Sequence, residues 1–192
     1  MIDSAWPSAR APWASLALLA FFAVGLLPAP AHAQTTNTFG YTMEAGTYDY
    51  VAPPSGTPGL GLSDDGQTTV TLPWSFPYYG VSYPSVEVQA NGGINFASGV
   101  LLSTLSSCLP DAFASDIHVF WDDLDPTLGG DIYAWHDTAA DRFVVSWEQI
   151  TPYFGFADGT WQIQLYPNGA IELHWLDTDV GDPIDNHGAD AV

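Results

Sequence analysis

Four aspartates, Asp122, Asp123, Asp125 and Asp131, have the spacing best suited to chemistry in this chain. Carboxylates at 122, 123 and 125, followed by Gly129 and Gly130, can wrap a hard cation such as Ca²⁺, with backbone carbonyls completing about six to eight oxygens. The run is not an EF-hand loop, because it lacks both the mid-loop glycine and the terminal acidic ligand. The competing reading is a solvated turn in which Asp122 caps backbone N–H groups. A second acid-rich run, Asp177, Asp179, Asp182 and Asp185, lacks the glycine placement of calcium-loaded repeats and reads as an acidic loop. Asp64-Asp65-Gly66 reads as a turn. No cofactor is required by these patterns; Ca²⁺ is the one they could hold.

Signals for catalysis are sparse. His118, His136, His174 and His187 fall in no HExxH-type pair, and no Gly-x-Ser-x-Gly elbow is present. Cys108, the single cysteine, carries no local signature of a thiol nucleophile. Glu148 and Glu172 could act as a glycosidase pair only if their strands brought them face to face. Tyr133 and Trp135 share one face of a strand pattern, opposite Ile132 and Ala134. If exposed, they could stack on sugar rings, since both offer wide apolar faces with polar edges. The alternative is that both faces of that sheet are covered.

The elements that must position these residues begin after a leader. Arg10 supplies a basic start, Ser15 to Leu27 is an uninterrupted apolar run of 13 residues, and Pro28 breaks it. Ala31-His32-Ala33 then fits the small-x-small cleavage rule. The run is shorter than the roughly 18–20 apolar residues needed to span a bilayer, so residues 1–33 are expected to be a signal peptide cleaved after Ala33. The product is expected to be exported: secreted, extracellular or at the cell surface.

Charge narrows the partners. The 192-residue chain carries a formal charge of −20, with no lysine and with Arg10 and Arg142 as its two arginines. Such a surface excludes phosphate-tracking nucleic-acid binding and disfavours anionic membranes. Of its 22 acids, 18 are aspartates, which favour turns over helices. That preference, with few Lys, Arg, Glu or Gln, points to an all-β chain.

The hydrophobic pattern agrees. Residues 34–63 read as an N-terminal extension, with a possible first strand among Phe39 to Val51 and turn material at Pro53-Pro54. Residues 64–192 read as an antiparallel β-sandwich, jelly-roll-like or immunoglobulin-like. Thr68 to Leu72 alternates, and Leu72 to Gly80 (LPWSFPYYG) packs aromatics between prolines and breaks at Gly80. In Val86 to Ala90, Val86, Val88 and Ala90 face one way and Glu87 and Gln89 the other, as in a half-buried strand. Asn91-Gly92-Gly93 predicts a tight hairpin, and Ile117 to Trp121 a central strand. Gly99 to Ser115 reads as a loop or short helical turn. Later strands are expected at Ile132 to His136, Arg142 to Ile150, Trp161 to Leu165 and Ile171 to Trp175, with a hairpin at Pro167-Asn168-Gly169. Trp121, Trp147 and Trp161 are expected in the core.

These motifs, in this order, resemble a secreted β-sandwich module of bacterial surface proteins, related to nidogen-like (NIDO) and plexin-domain-containing extracellular domains. The segments that carry the resemblance are LPWSFPYYG at 72–80, NGGINF at 91–96, FWDDLD at 120–125, RFVVSW at 142–147 and the Asn168-Gly169 hairpin. They run from about Asp64 to Trp175. Trp74 stands where phenylalanine is usual and Gly93 where a larger residue is common, which bears on local packing. The resemblance implies a non-catalytic extracellular module for adhesion, surface display or accessory ligand binding, with a protein or polysaccharide partner. A carbohydrate-binding module using Tyr133 and Trp135 is the alternative, and a secreted hydrolase the third. It further implies that Gly188 to Val192 enters a closing strand beyond this sequence, leaving the copy incomplete and Cys108 parted from a partner cysteine.

Overall fold

The computed structural model describes residues 35–36, 39–97, 115–153, 155 and 157–180. Residues 1–33, expected to be a signal peptide, lie outside them, as do Cys108, Asp182, Asp185, His187, residues 188–192 and nearly all of the Gly99 to Ser115 segment. Among the described residues every regular element is a strand, and every pairing is antiparallel.

Thr35–Thr36 (β1) and Thr42–Met43 (β2) form a small ladder of their own. Gln67–Tyr78 (β3), Val81–Gln89 (β4), Gly93–Asn95 (β5) and Asp116–His118 (β6) make one sheet in that order. The other sheet contains Leu124–Asp125 (β7), Asp131–Asp137 (β8), Arg142–Pro152 (β9), Gly159–Leu165 (β10) and Ile171–Asp177 (β11). Its order is β11-β10-β9, with β8 and then β7 sharing the far edge of β9. The described strands thus form two successive meanders, without a Greek-key crossing between sheets.

The sheets pack face to face on the apolar half of each alternation. Phe76, Val88 and Ile94 from one sheet meet Trp147, Trp161, Ile163 and Leu165 from the other, all fully buried. Trp147 Nε1 donates across the sandwich to the Gln89 carbonyl at 3.0 Å, and the rings of Phe120 and Trp161 stack at 4.2 Å. The three tryptophans expected in the core are there, each at most 1 % exposed.

Local chemistry explains the boundaries. β3 holds both Pro73 and Pro77 as an edge strand in this sheet, which needs N–H donors toward one neighbour only. Its register slips between Thr71 and Phe76, around Pro73, Trp74 and Ser75. Gly92, at φ +81°, closes the hairpin between β4 and β5, and a Cβ there would lie 1.7 Å from the Phe120 carbonyl oxygen. The Asn168-Gly169 hairpin forms as expected, with Gly169 N–H donating to Tyr166 O at 2.9 Å.

Two expectations need correction. Ile117 to Trp121 is not a central strand: only Asp116–His118 pairs, at the end of its sheet among the described strands. Val119, Phe120 and Trp121 are buried without a ladder, so apolarity reported burial and not pairing. The polar side of Val86 to Ala90 is not solvated either. Glu87 accepts from Thr69 Oγ1 at 2.7 Å, Gln89 donates to Gln67 at 3.0 Å, and Glu87 and Gln89 are both buried.

Candidate functional site

The outer face of the second sheet is polar, and it is buried. Alternation points Ser146, Gln162, Gln164 and His174 away from the core, yet each is at most 5 % exposed. Residues 49–61, outside any ladder and turned between Pro54 and Thr57, cross this face as a strap. Gln162 Nε2 donates to Val51 O at 2.8 Å, and its Oε1 accepts from Val51 N at 3.3 Å. Gln164 Nε2 donates to Asp49 O at 2.8 Å, and Leu60 N donates to Ile132 O at 2.8 Å. Side-chain amides thus satisfy a backbone that has no neighbouring strand, the condition for burying it.

Arg142 pins one end of the strap. Its side chain is 5 % exposed and donates to Asp49 at 2.6 Å, Asp137 at 2.9 Å and Gln164 at 2.8 Å. Burial disfavours the cation, but the hydrogen bonds to Asp49, Tyr166 and Asp137 outweigh it and raise the guanidinium pKa. For Asp137, desolvation is likewise overcome by hydrogen bonds from Arg142 and the Ala139 amide, and the carboxyl falls below its ordinary 3.8.

At the other end, the strap and sheet leave a cleft of about 290 Å³ lined by Pro53, Pro54, Gly56, Thr57, Tyr133 and Glu148. Tyr50 OH donates to the Glu148 carboxylate, 2.7 Å from either oxygen, and Ser146 Oγ also donates to it. Desolvation, then the hydrogen bond to Glu148, raises the Tyr50 pKa far above its ordinary 10.0. Tyr133, read from sequence as a candidate ligand contact, is half-buried and lines this cleft. Trp135, two residues along the same face, is half-buried and does not line it.

The four loop aspartates do not converge as a set. Asp122 Oδ1 accepts from the Asp123 amide at 2.8 Å, the capping role of the competing reading. Asp125 Oδ1 accepts from Thr127 N at 2.9 Å and Thr127 Oγ1 at 2.6 Å. Asp131 turns to the strap and accepts from Gly61 N at 3.1 Å. Asp123 instead meets Asp64 and Asp65, with one ligand atom of each within 4.8 Å of the others. Desolvation, then the charges of Asp125 and Asp65, raises the Asp64 pKa above 3.8. Asn91 ties this corner together, donating to Asp65 Oδ1 at 2.8 Å and accepting from Leu124 N at 3.0 Å.

A second cleft, of about 280 Å³, lies at the β3–β4 turn between Phe39, Tyr41, Pro77, Tyr79 and Asn168. Tyr79 and Gly80 both have positive φ, +46° and +79°, the backbone of a two-residue hairpin turn.

A family model described as NIDO related matches residues 38–190. The chain belongs to the NIDO-related family. The resemblance read from the five motifs holds at that level, and the span matched to the NIDO-related model takes in the strap as well as both sheets. No curated protein and no solved structure matches the chain.

Sequence reasoning missed three features of this NIDO-related domain. Pro53-Pro54 was legible only as turn material, and nothing local says that it walls a cleft with Glu148. Asp64-Asp65-Gly66 reads as a turn, and is one, but its nearness to Asp123 depends on long-range packing. Tyr79 sits where Asn, Asp or Gly is usual; the two residues between Tyr78 and Val81, ending in Gly80, were the available signal.

Proposed function

We propose that this NIDO-related chain is an exported, non-catalytic recognition module serving adhesion, surface display or accessory ligand binding outside the cell. The family match supports the extracellular part of the reading, together with the leader pattern of residues 1–33. The observation that carries the non-catalytic part is the placement of Glu148 and Glu172. Both lie on the strapped face, but the register puts Glu172 in the row of Gln164 and Val144, and Glu148 four residues further along β9. Four residue rises and two strand spacings separate their backbone positions by about 16 Å. A glycosidase pair needs roughly 5–9.5 Å. Gln162 and Gln164, with the strap bonded to them, occupy the face between.

The partner is an extracellular protein or a polysaccharide, with neither nucleic acid nor, after leader removal, membrane involved. A carbohydrate-binding role remains the second reading, favoured by the half-exposed Tyr133 in its cleft. Ca²⁺ at the Asp64, Asp65 and Asp123 corner is a structural accessory of the same module. Expression with the leader in a secreting bacterial host tests the reading. The culture medium or periplasm is expected to yield protein whose N-terminal sequence starts at Gln34. That protein is expected to turn over no chromogenic glycoside or ester. Retention of the leader would refute export with cleavage, and turnover lost in Glu148→Gln would refute the non-catalytic assignment.

A further inference from the structure

We propose that the cleft between the 53–57 bend and Tyr133 receives a lysine or arginine side chain of a partner polypeptide, with Glu148 as its counter-ion. The inference rests on the recognition reading above and names the chemistry of the partner.

Charge bookkeeping on this face motivates it. Asp131 and Glu148 are directly opposed cross-strand partners, an unfavourable like-charge placement. The Asp131 carboxylate turns away to Gly61 N and Ile132 N, leaving Glu148 toward the cleft. Among the described residues, no basic group pairs with Glu148. Arg142 is held by Asp49 and Asp137, while His118, His136 and His174 lie against Asp116, Asp141 and Glu172. The hydroxyls of Tyr50 and Ser146 supply two hydrogens to a carboxylate that offers about four acceptor positions, so two remain.

The walls suit the rest of a basic side chain. Pro53 and Pro54 offer apolar surface for a methylene stem, and the Tyr133 ring can face the cation. A volume of about 290 Å³ accommodates such a side chain. The −20 charge of the chain draws basic partners toward it from a distance. A neutral sugar would leave Glu148 without a counter-charge, so the observations favour the polypeptide.

Titration of the leader-free full chain with tetralysine, followed by calorimetry at low salt, tests this, with tetraglutamate as the control. Wild type is expected to bind tetralysine only, and Glu148→Gln to weaken binding about tenfold or more. Asp141→Asn, which removes a distant exposed charge at a positive-φ position that asparagine tolerates, is expected to change binding less than about twofold. Tyr133→Leu keeps the Glu148 bonds to Tyr50 and is expected to cost about threefold or more, so it decides the matter if Glu148→Gln does not fold. Equal losses in Glu148→Gln and Asp141→Asn, or no loss in Tyr133→Leu, would reduce the effect to diffuse charge and overturn the proposal. Spermidine binding as tightly as tetralysine, with the same sensitivity to Glu148→Gln, would overturn the polypeptide assignment. Failure here with export and absence of turnover intact removes this inference alone, whereas failed export removes the reading beneath it.

Discussion

The two faces of β9 and β10 are buried by different means. On the inner face, Trp147, Trp161, Ile163 and Leu165 leave water by packing against the opposite sheet. On the outer face, Arg142, Ser146, Gln162 and Gln164 leave water by bonding to one another and, through Arg142, Gln162 and Gln164, to a ladderless stretch of chain at Asp49 and Val51. The first kind of burial is non-directional and tolerant of small shifts. The second is geometric, and each broken bond strands a desolvated group. It follows that the inner face should set global stability, whereas the outer face should set whether the strap, and with it the Glu148 cleft, is held in place.

Substitutions on each side can break that contrast. Trp147→Ala removes a fully buried ring and its bond to Gln89 and is expected to cost about 3–5 kcal/mol in urea unfolding, enough to unfold a marginal domain. Arg142→Met leaves Asp49 and Asp137 without their cation. Because Asp49 is well exposed, the cost is expected to be roughly 2–3 kcal/mol, below that of a wholly buried pair. Gln162→Leu strands the Val51 amide and carbonyl and is expected to cost about 1–2 kcal/mol. Its signature is local: proteolysis within 49–61 at denaturant concentrations that leave the sandwich folded. Global unfolding in step with strap cleavage would show that the two faces are one cooperative unit.

Both sides of the sheet respond to alkaline pH in the same direction. Tyr50 in the strap and Tyr78 in the core are both raised above their ordinary 10.0, chiefly by burial. In the unfolded chain they ionise near 10.0, while the fold keeps them neutral. Stability is therefore full below pH 10 and falls as pH rises further. Tyr50→Phe is expected to flatten part of that alkaline loss; a profile identical to wild type would contradict the assignment. The smallest expected effect lies at the acidic corner. Millimolar Ca²⁺ is expected to raise the melting temperature by a few degrees, EDTA to reverse it, and Asp65→Asn to abolish it. A melt indifferent to Ca²⁺ ends that part of the reading.

How much of this was legible follows the same division. Period-two alternation located Trp147, Trp161, Ile163 and Leu165 on the core side, and Asn91-Gly92 and Asn168-Gly169 located two hairpins, because these signals are local. Alternation could not say that Gln162 and Gln164 would be covered, since the covering chain lies more than a hundred residues away in sequence. The same distance problem hid the meeting of Asp123 with Asp64 and Asp65. Spacing alone grouped Asp123 with Asp122, Asp125 and Asp131, whose carboxylates instead serve local turns and the strap. Strand parity places Tyr133 and Trp135 on one face, and Glu148 stands out in the sequence only as a possible pair with Glu172; neither signal reveals the cleft that Tyr133 and Glu148 line.

Hydrogen exchange at the strap tests the central claim most directly. The amides of Asp49, Val51 and Leu60 belong to no ladder, yet each has a partner on the sheet: His174, Gln162 and Ile132 O respectively. They are predicted to exchange well below random-coil rates in the wild type. In Gln162→Leu, Val51 is predicted to lose protection while β9 and β10 keep theirs. Strap amides exchanging at random-coil rates in the wild type would contradict the account.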